Sequence, residues 1–281
     1  MLADLVPYLR CPACHRRLAA ATGALRCERG HGFDLARAGY VNLTTGAGVT
    51  HPGDTARMVA ARVEFLGSGS YDFLSTALSA AASGHLRSGG LVVDAGGGTG
   101  YHLARVLAAA PAARGLTLDV SKPALRRAAR AHPRAGAVLA DTWRALPLAD
   151  RAAAAVLNVF APRNGAELHR ILAPDGRLLV VTPTAAHLAE LAPILPGLRL
   201  LAVDPAKPDQ LAASLAGWFD PAGTEAYTHR LRLSRGLVRA LVGMGPSAPH
   251  IDPAELDRAV AGLPEPLPVT AAVRLTRYAP R

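Results

Sequence analysis

The 281-residue sequence predicts an α/β chain: a doubly wound parallel sheet preceded by a small, metal-held ribbon. Three observations predict it. Short apolar runs alternate with amphipathic segments between Leu91 and Pro183. One run, Leu91-Val92-Val93-Asp94, breaks into the glycine turn Ala95-Gly96-Gly97-Gly98-Thr99-Gly100. All three cysteines fall within the first 27 residues. A hydrophobic content of 50% is ample for a large core and excludes a disordered chain.

Cys11-Pro12-Ala13-Cys14 is followed by Cys27 and, after three residues, His31. An odd cysteine count argues against a disulfide framework, whereas C-x2-C with C-x3-H has the spacing of a Cys3His zinc site. With Cys11, Cys14, Cys27 and His31 filling four positions, such a site is closed and structural. His15 is a competing donor that adjoins Cys14 awkwardly. So short a segment buries too little apolar surface alone, so zinc supplies its folding energy. Residues 1–43 are therefore expected to be a zinc-ribbon domain ending in an extended joint at 33–43. Residues 44–90 are expected to connect it to the catalytic domain, through a glycine- and proline-rich linker or mobile loop at 44–54 and helices at 56–66 and 71–86. Asp54 or Thr55 caps the first helix. Arg57 and Arg62 read as a solvated face, with phosphate contact as their functional alternative.

Residues 91–281 are expected to form the catalytic domain. Glycines at 96, 98 and 100 let the chain turn sharply and let a ligand approach the N-terminus of the helix from Tyr101 to Ala110. A dinucleotide fingerprint requires glycine at 101, where Tyr101 stands. The second strand, 115–120, carries Asp119 at its end, twenty-five residues beyond Asp94, where a carboxylate can accept hydrogen bonds from two ribose hydroxyls. Ser121 caps a helix over 122–132 that Pro133 ends; Arg126, Arg130 and Arg134, spaced by four with Arg127 beside them, make either an RNA-gripping face or a solvated one. Strand 137–140 delivers Asp141, which can bond an adenine amino group. Strand 153–159 leads into Asn158-Val159-Phe160-Ala161-Pro162, and period two puts Asn158 and Phe160 on one face, able to bracket a flat base. Helix 167–172, a turn at 174–176 and strand 177–183 follow. Beyond Ala185 the pattern predicts helices at 186–195 and 234–242, strands at 224–233 and 269–277, and a loop at 243–250 on the substrate side.

A net charge of +10 and a pI near 10.3 favour a polyanionic partner, although arginine-rich composition also arises from GC-rich coding. No signal-peptide pattern and no apolar run of membrane-spanning length occur, so a cytoplasmic location without membrane attachment is expected.

Taken in order, the zinc spacing, Gly39-Tyr40-Val41-Asn42-Leu43, Pro52-Gly53-Asp54, the Asp94 glycine loop and Asn158-Val159-Phe160-Ala161-Pro162 resemble the 23S rRNA (guanine-N1)-methyltransferases of the RlmA type. The resemblance covers nearly the whole chain, most closely in the tylosin-resistance branch. It implies a class I S-adenosylmethionine (SAM)-dependent methyltransferase fold, Rossmann-like and doubly wound, behind the zinc ribbon. It implies SAM bound by Asp94, Gly96, Gly98, Thr99, Gly100, His102, Asp119, Asp141 and Asn158, and target-base positioning by Asn158, Phe160 and Pro162. It further implies 23S rRNA hairpin 35 as substrate, a homodimer whose zinc modules help bind that hairpin, and macrolide resistance. The Asp/Asn-Pro-Pro-Tyr/Phe motif of many exocyclic-amine methyltransferases is absent, which is compatible with attack by a ring nitrogen. No residue stands out as the base for the N1 proton; His51 and Asp54 are the candidates. Two alternatives are a methyltransferase acting on a small metabolite and a non-catalytic zinc-dependent RNA-binding protein. The intact Asp94, Gly96, Gly98 and Asp119 weigh against the second.

Overall fold

The computed structural model of the protein describes residues 2–44, 48–195, 198 and 213–281; residues 45–47 of the expected linker lie outside them. After a 3-10 helix at Leu2–Tyr8, strands β1 (Leu18–Ala21), β2 (Ala24–Cys27) and β3 (Gly32–Asp34) form an antiparallel ribbon. The large sheet contains β4 (Val41–Asn42), β5 (Gly90–Ala95), β6 (Ala113–Asp119), β7 (Ala135–Leu139), β8 (Ala153–Val159), β9 (Leu172–Pro183), β10 (Phe219–Leu233) and β11 (Leu267–Pro280). Its order is β10-β11-β9-β8-β5-β6-β7-β4. Strands β4 to β9 pair in parallel, while β11 runs antiparallel to both neighbours. The chain leaves β5 first towards β6 and later towards β8, so strand order reverses at β5. In open α/β sheets the crevice at such a switch point, at the carboxyl ends of the strands, is where ligands bind.

Burial explains the parallel centre. Leu91 to Ala95 are all buried, as a strand covered by helices on both faces must be. On one face α2 (Asp72–Ser83) and α3 (Tyr101–Ala109) bring Leu74, Leu78, Leu103 and Leu107 against Val92, Leu157 and Val181. On the other, Leu116, Leu178 and Ile171 of α5 (Gly165–Ile171) share a core with Leu5, Leu9, Leu18 and Leu25 of the ribbon. Ribbon and sheet are thus packed as one core. The backbone joins them too: Val41 pairs with Val138, and the Arg10 N–H donates to the Pro147 carbonyl at 2.9 Å.

Local signals set most helix starts. Thr55 caps α1 (Ala56–Gly67), Ser121 caps α4 (Lys122–Ala128), Asn164 caps α5 and Ser234 caps α7 (Arg235–Gly243), each side-chain oxygen accepting a first-turn N–H. The helix expected at 186–195 is shorter, running over Leu191–Ile194 (α6). Helix α8 (Pro253–Ala261) escaped the sequence reading, although Asp252, Pro253 and Glu255 are a cap, a first-turn proline and an acid at the third position. Among the described residues no helix is long and apolar enough to cross a membrane.

The basic row on α4 is corrected. The helix stops at Ala128, and Arg134 folds back onto the carbonyls of Leu107, Ala110 and Ala113, closing the C-terminal end of α3. Arg126, Arg127 and Arg130 stay exposed, and the Arg37 turn of the ribbon lies beside them through Ala36 and Ala38, which pack on Leu125 and Ala129. Replacing Arg134 by alanine is expected to lower the unfolding free energy by about 2 kcal/mol in urea titrations, because three carbonyls lose a charged donor.

Candidate active site and metal centre

In the ribbon, the sulfurs of Cys11, Cys14 and Cys27 and a ring nitrogen of His31 all lie within 4.8 Å of one another. His31 Nδ1 is 3.5 Å from Cys11 Sγ and 3.4 Å from Cys27 Sγ, and the Cys14 and Cys27 sulfurs are 3.7 Å apart. Two knuckles make this approach possible. The His15 N–H donates to the Cys11 carbonyl at 2.8 Å, and the Gly30 N–H to the Cys27 carbonyl at 2.9 Å, with Gly30 in the left-handed region at φ 82°. Burial alone would raise the Cys27 thiol, but backbone N–H groups of Arg29 and His31 outweigh it and bring it down to about 6. Burial pushes Cys11 up. Three soft thiolate donors and an imidazole at tetrahedral-edge spacing fit Zn2+, and four protein ligands close the site, which makes it structural. His15 stands outside the cluster.

At the switch point, Asp94 ends β5 with 1% of its surface exposed. Its Oδ1 is buried without a partner, and burial with the nearby Asp119 charge pushes the carboxyl up to about 7. Gly96, Gly98 and Gly100 all adopt positive φ, and a Cβ on Gly97 would strike the Asp94 carboxyl. The turn is anchored to β6: Leu118 O accepts from the Gly96 and Gly97 N–H groups, and Asp119 accepts from Gly98 and Ser121 N–H at 2.8 Å each. Each Asp119 oxygen retains a lone pair for a ligand hydroxyl. Thr99 is buried in the turn. His102 sits in the first turn of α3 with Nδ1 2.9 Å from Ser75 Oγ; burial and the Arg62 charge bring it down to about 4, leaving the ring neutral.

The expected linker is clamped rather than loose. Thr50 donates its N–H and hydroxyl to Asp141 Oδ2 at 2.7 Å each, and Trp143 N–H donates to Oδ1 at 3.0 Å. Burial would raise Asp141, but these donors lower it overall. Ser121 Oγ donates to Asp54 O at 2.6 Å, and Gly53, at φ 66°, rides so close to Val120 that a Cβ would lie 2.7 Å from it. Arg62 departs from the solvated-face expectation: it pairs with Asp54 at 2.7 Å and donates to Met244 O at 3.1 Å, while Arg57 donates to Ala248 O. The 243–250 loop is thereby held beside Gly98, whose Cβ position lies 3.7 Å from Arg62. Asp54 is engaged, whereas His51 Nε2 is buried with no partner.

Asn158 and Phe160 do not share a face. Asn158 is fully buried; its amide donates to Ala95 O at 3.3 Å and Pro162 O at 2.8 Å, and its oxygen accepts from Arg163 Nε at 2.9 Å. The strand ends at Val159, and Phe160 turns left-handed at φ 51°, which breaks the alternation and leaves its ring 42% exposed. Asn158 therefore shapes the turn, Pro162 contributes its carbonyl to it, and Phe160 alone presents a flat face. Behind that face are two residues the sequence did not single out, Tyr71 and His187. Tyr71 follows a Gly/Ser turn and His187 lies between β9 and α6, so only tertiary packing brings them together.

Comparisons with known proteins agree with this geometry. A zinc-ribbon family model described as "RlmA, N-terminal" matches residues 9–44. A Streptomyces fradiae 23S rRNA (guanine(748)-N1)-methyltransferase is 50% identical, over 98% of both chains. A Micromonospora griseorubida protein of the same named activity class is 59% identical over 99% of both. Of solved structures, the YcgJ protein of Bacillus subtilis superposes with a TM-score of 0.50 at 15% identity, covering 74% of this chain and 97% of that one, a likeness of fold.

Stripping the metal, or replacing Cys14 with serine, is expected to release one zinc per chain and lower the melting temperature of the whole protein, because the ribbon shares its core with the sheet. Zinc release on thiol titration, alongside thermal melting, checks both.

Proposed function

The chain belongs to the family of 23S rRNA (guanine-N1)-methyltransferases, and we infer that it methylates N1 of a guanine in 23S rRNA with SAM as methyl donor. Similarity along the whole length, ribbon included, to a relative of that activity carries the reading. When bound, SAM supplies a methyl group already activated on its sulfonium. The remaining work is alignment for in-line displacement and handling of one proton.

The unpaired Asp94 oxygen fits a cationic amino group above the glycine turn. Gly96, Gly98, Thr99 and Gly100 would form the backbone under that ligand, the three glycines at positive φ, with neutral His102 behind them. Asp119 would hold the ribose through its spare lone pairs. Asp141 would meet the adenine edge through the lone pair that Oδ1 keeps beside the Trp143 N–H, since Oδ2 takes both Thr50 donors. Phe160 would stack the target base, with Asn158 and Pro162 holding its turn. His51, with its free nitrogen, is the better-placed proton acceptor, because Asp54 is tied to Arg62.

In this reading residues 1–43 are the zinc-bearing RNA module, 44–90 the connection and 91–281 the methyl-transferring domain. The target is hairpin 35, gripped by a homodimer in the cytoplasm, and its methylation protects the exit tunnel against macrolides. The exposed arginines of α4 and Arg37 supply a basic surface for the hairpin.

Incubating 23S rRNA with the protein and SAM is expected to create a single primer-extension stop at one guanine of hairpin 35, with 1-methylguanine in the nucleoside digest. Activity should fall steeply as salt rises from about 50 to 200 mM, as phosphate contacts require. SAM binding with neither stop nor 1-methylguanine would overturn the reading.

A further inference from the structure

Removing the N1 proton of guanine spreads negative charge over N1 and O6, and a site that methylates N1 gains rate from any preorganised donor aimed at O6. Asp119 and Asp141 are already taken up as acceptors, and Asp94 is assigned to the cofactor's amino group. The pair behind Phe160 is different.

His187 Nδ1 accepts the backbone N–H of Ala272 at 3.2 Å. A backbone nitrogen only donates, so on a neutral ring the proton sits on Nε2, 3.3 Å from the Tyr71 hydroxyl. Burial brings this imidazole down to about 4, so it is neutral at physiological pH. Nε2–H therefore donates to the tyrosine oxygen, and the tyrosine's own hydrogen is left over. Among the described residues His187 is the hydrogen-bond partner of that hydroxyl, and no carbonyl or carboxylate takes its hydrogen.

The location fits. Tyr71 is 3% exposed and begins α2; its ring packs edge-on to Phe65 at 5.0 Å and lies 6.4 Å from Phe160. His187 stacks on the exposed Phe160 ring at 5.6 Å. On the other side, Arg62 reaches Gly98 and acts electrostatically on the Tyr71 hydroxyl. A buried hydroxyl with a spare hydrogen thus belongs to a ring packed beside the aromatic face, within electrostatic reach of the arginine that touches Gly98. Burial also raises its pKa, so it stays a donor.

We propose that the Tyr71 hydroxyl, oriented by His187, donates a hydrogen bond to O6 of the guanine stacked on Phe160 as N1 loses its proton and is methylated. The inference rests on the guanine-N1 reading above. In the step, the N1–methyl bond forms as the sulfur–methyl bond breaks, the N1 proton passes to the acceptor assigned above, His51, and on to solvent, and the products are 1-methylguanine and S-adenosylhomocysteine. Tyr71 keeps its proton throughout. His187 is a positioning residue: it fixes the direction of the hydroxyl without touching the base.

The test compares wild type with Tyr71→Phe, which keeps the ring packing and removes only the hydroxyl, on hairpin RNA carrying guanine or 6-thioguanine at the target. The thio base has a more acidic N1 and a weaker acceptor at C6. The variant is expected to lose about a hundredfold in kcat on guanine. Its dissociation constants for SAM and RNA, by calorimetry and filter binding, should match wild type, and most of the loss should vanish on 6-thioguanine. His187→Gln, which keeps an N–H near the Nε2 position, should retain more activity than His187→Leu at equal melting temperature. Wild-type kcat in Tyr71→Phe, or an equal loss on both bases, would overturn the proposal. Failure of wild type to form 1-methylguanine would overturn the functional reading and this inference with it, and wild type alone reports that outcome.

Discussion

A buried carboxyl with one unpaired oxygen organises this protein. Asp94 lies at the end of the central strand where strand order reverses, and its Oδ1 finds no partner in the protein. Burying such a group without a counter-charge is costly, and its carboxyl rises to about 7 in response. The surrounding features make room for the missing partner. A side chain at Gly97 would fall on the carboxyl itself, and the flanking glycines take backbone angles that other residues rarely adopt. The turn is pinned to β6 through Leu118 and Asp119, so the backbone beside Asp94 is held in place.

Three segments are fastened around that turn. The 50–54 segment is fastened over the ends of β6 and β7 by Asp141 and Ser121. Arg62 ties this segment, through Asp54, to the 243–250 loop. Phe160, held by the Asn158–Arg163 turn, forms the third side with His187 and Tyr71 behind it. Arg163 itself is buried and brought down to about 10, its guanidinium spent on Asn158 and the Ala161 carbonyl. The ribbon is joined to this scaffold through the pairing of β4 with β7 and a continuous core, so zinc binding and the geometry of the sheet are mechanically linked.

What was legible in the sequence was what neighbouring residues decide. The zinc ligands are visible because two knuckles impose fixed spacings, and Asp94, Asp119 and Asp141 because each ends an apolar run. The capping residues Thr55 and Ser121 are visible for the same reason. Contacts made across the fold were not. Period two holds along the strand as far as Val159, but nothing local announces the left-handed residue at Phe160 that ends the alternation and parts its ring from the buried Asn158. Arg134 reads as a helix face until the helix stops six residues earlier and the guanidinium turns to α3. Arg62 finds Asp54 eight residues away and Met244 at the far end of the chain. Tyr71 and His187 meet across 116 residues, a distance over which no motif speaks.

The central claim is that Asp94 is the counter-charge awaiting the amino group of SAM, and proton release on binding tests it most directly. Calorimetry at pH 6 in buffers of different ionisation enthalpy measures it, and at that pH the ligand's amine is already protonated. A carboxyl held at about 7 is largely protonated there, and pairing with a cation lowers its pKa, so binding must expel the proton. The account predicts release of close to one proton per SAM at pH 6, affinity that weakens as pH falls below 7, and no release from Asp94→Asn. Binding without proton release at pH 6, or the same release from Asp94→Asn, would contradict it.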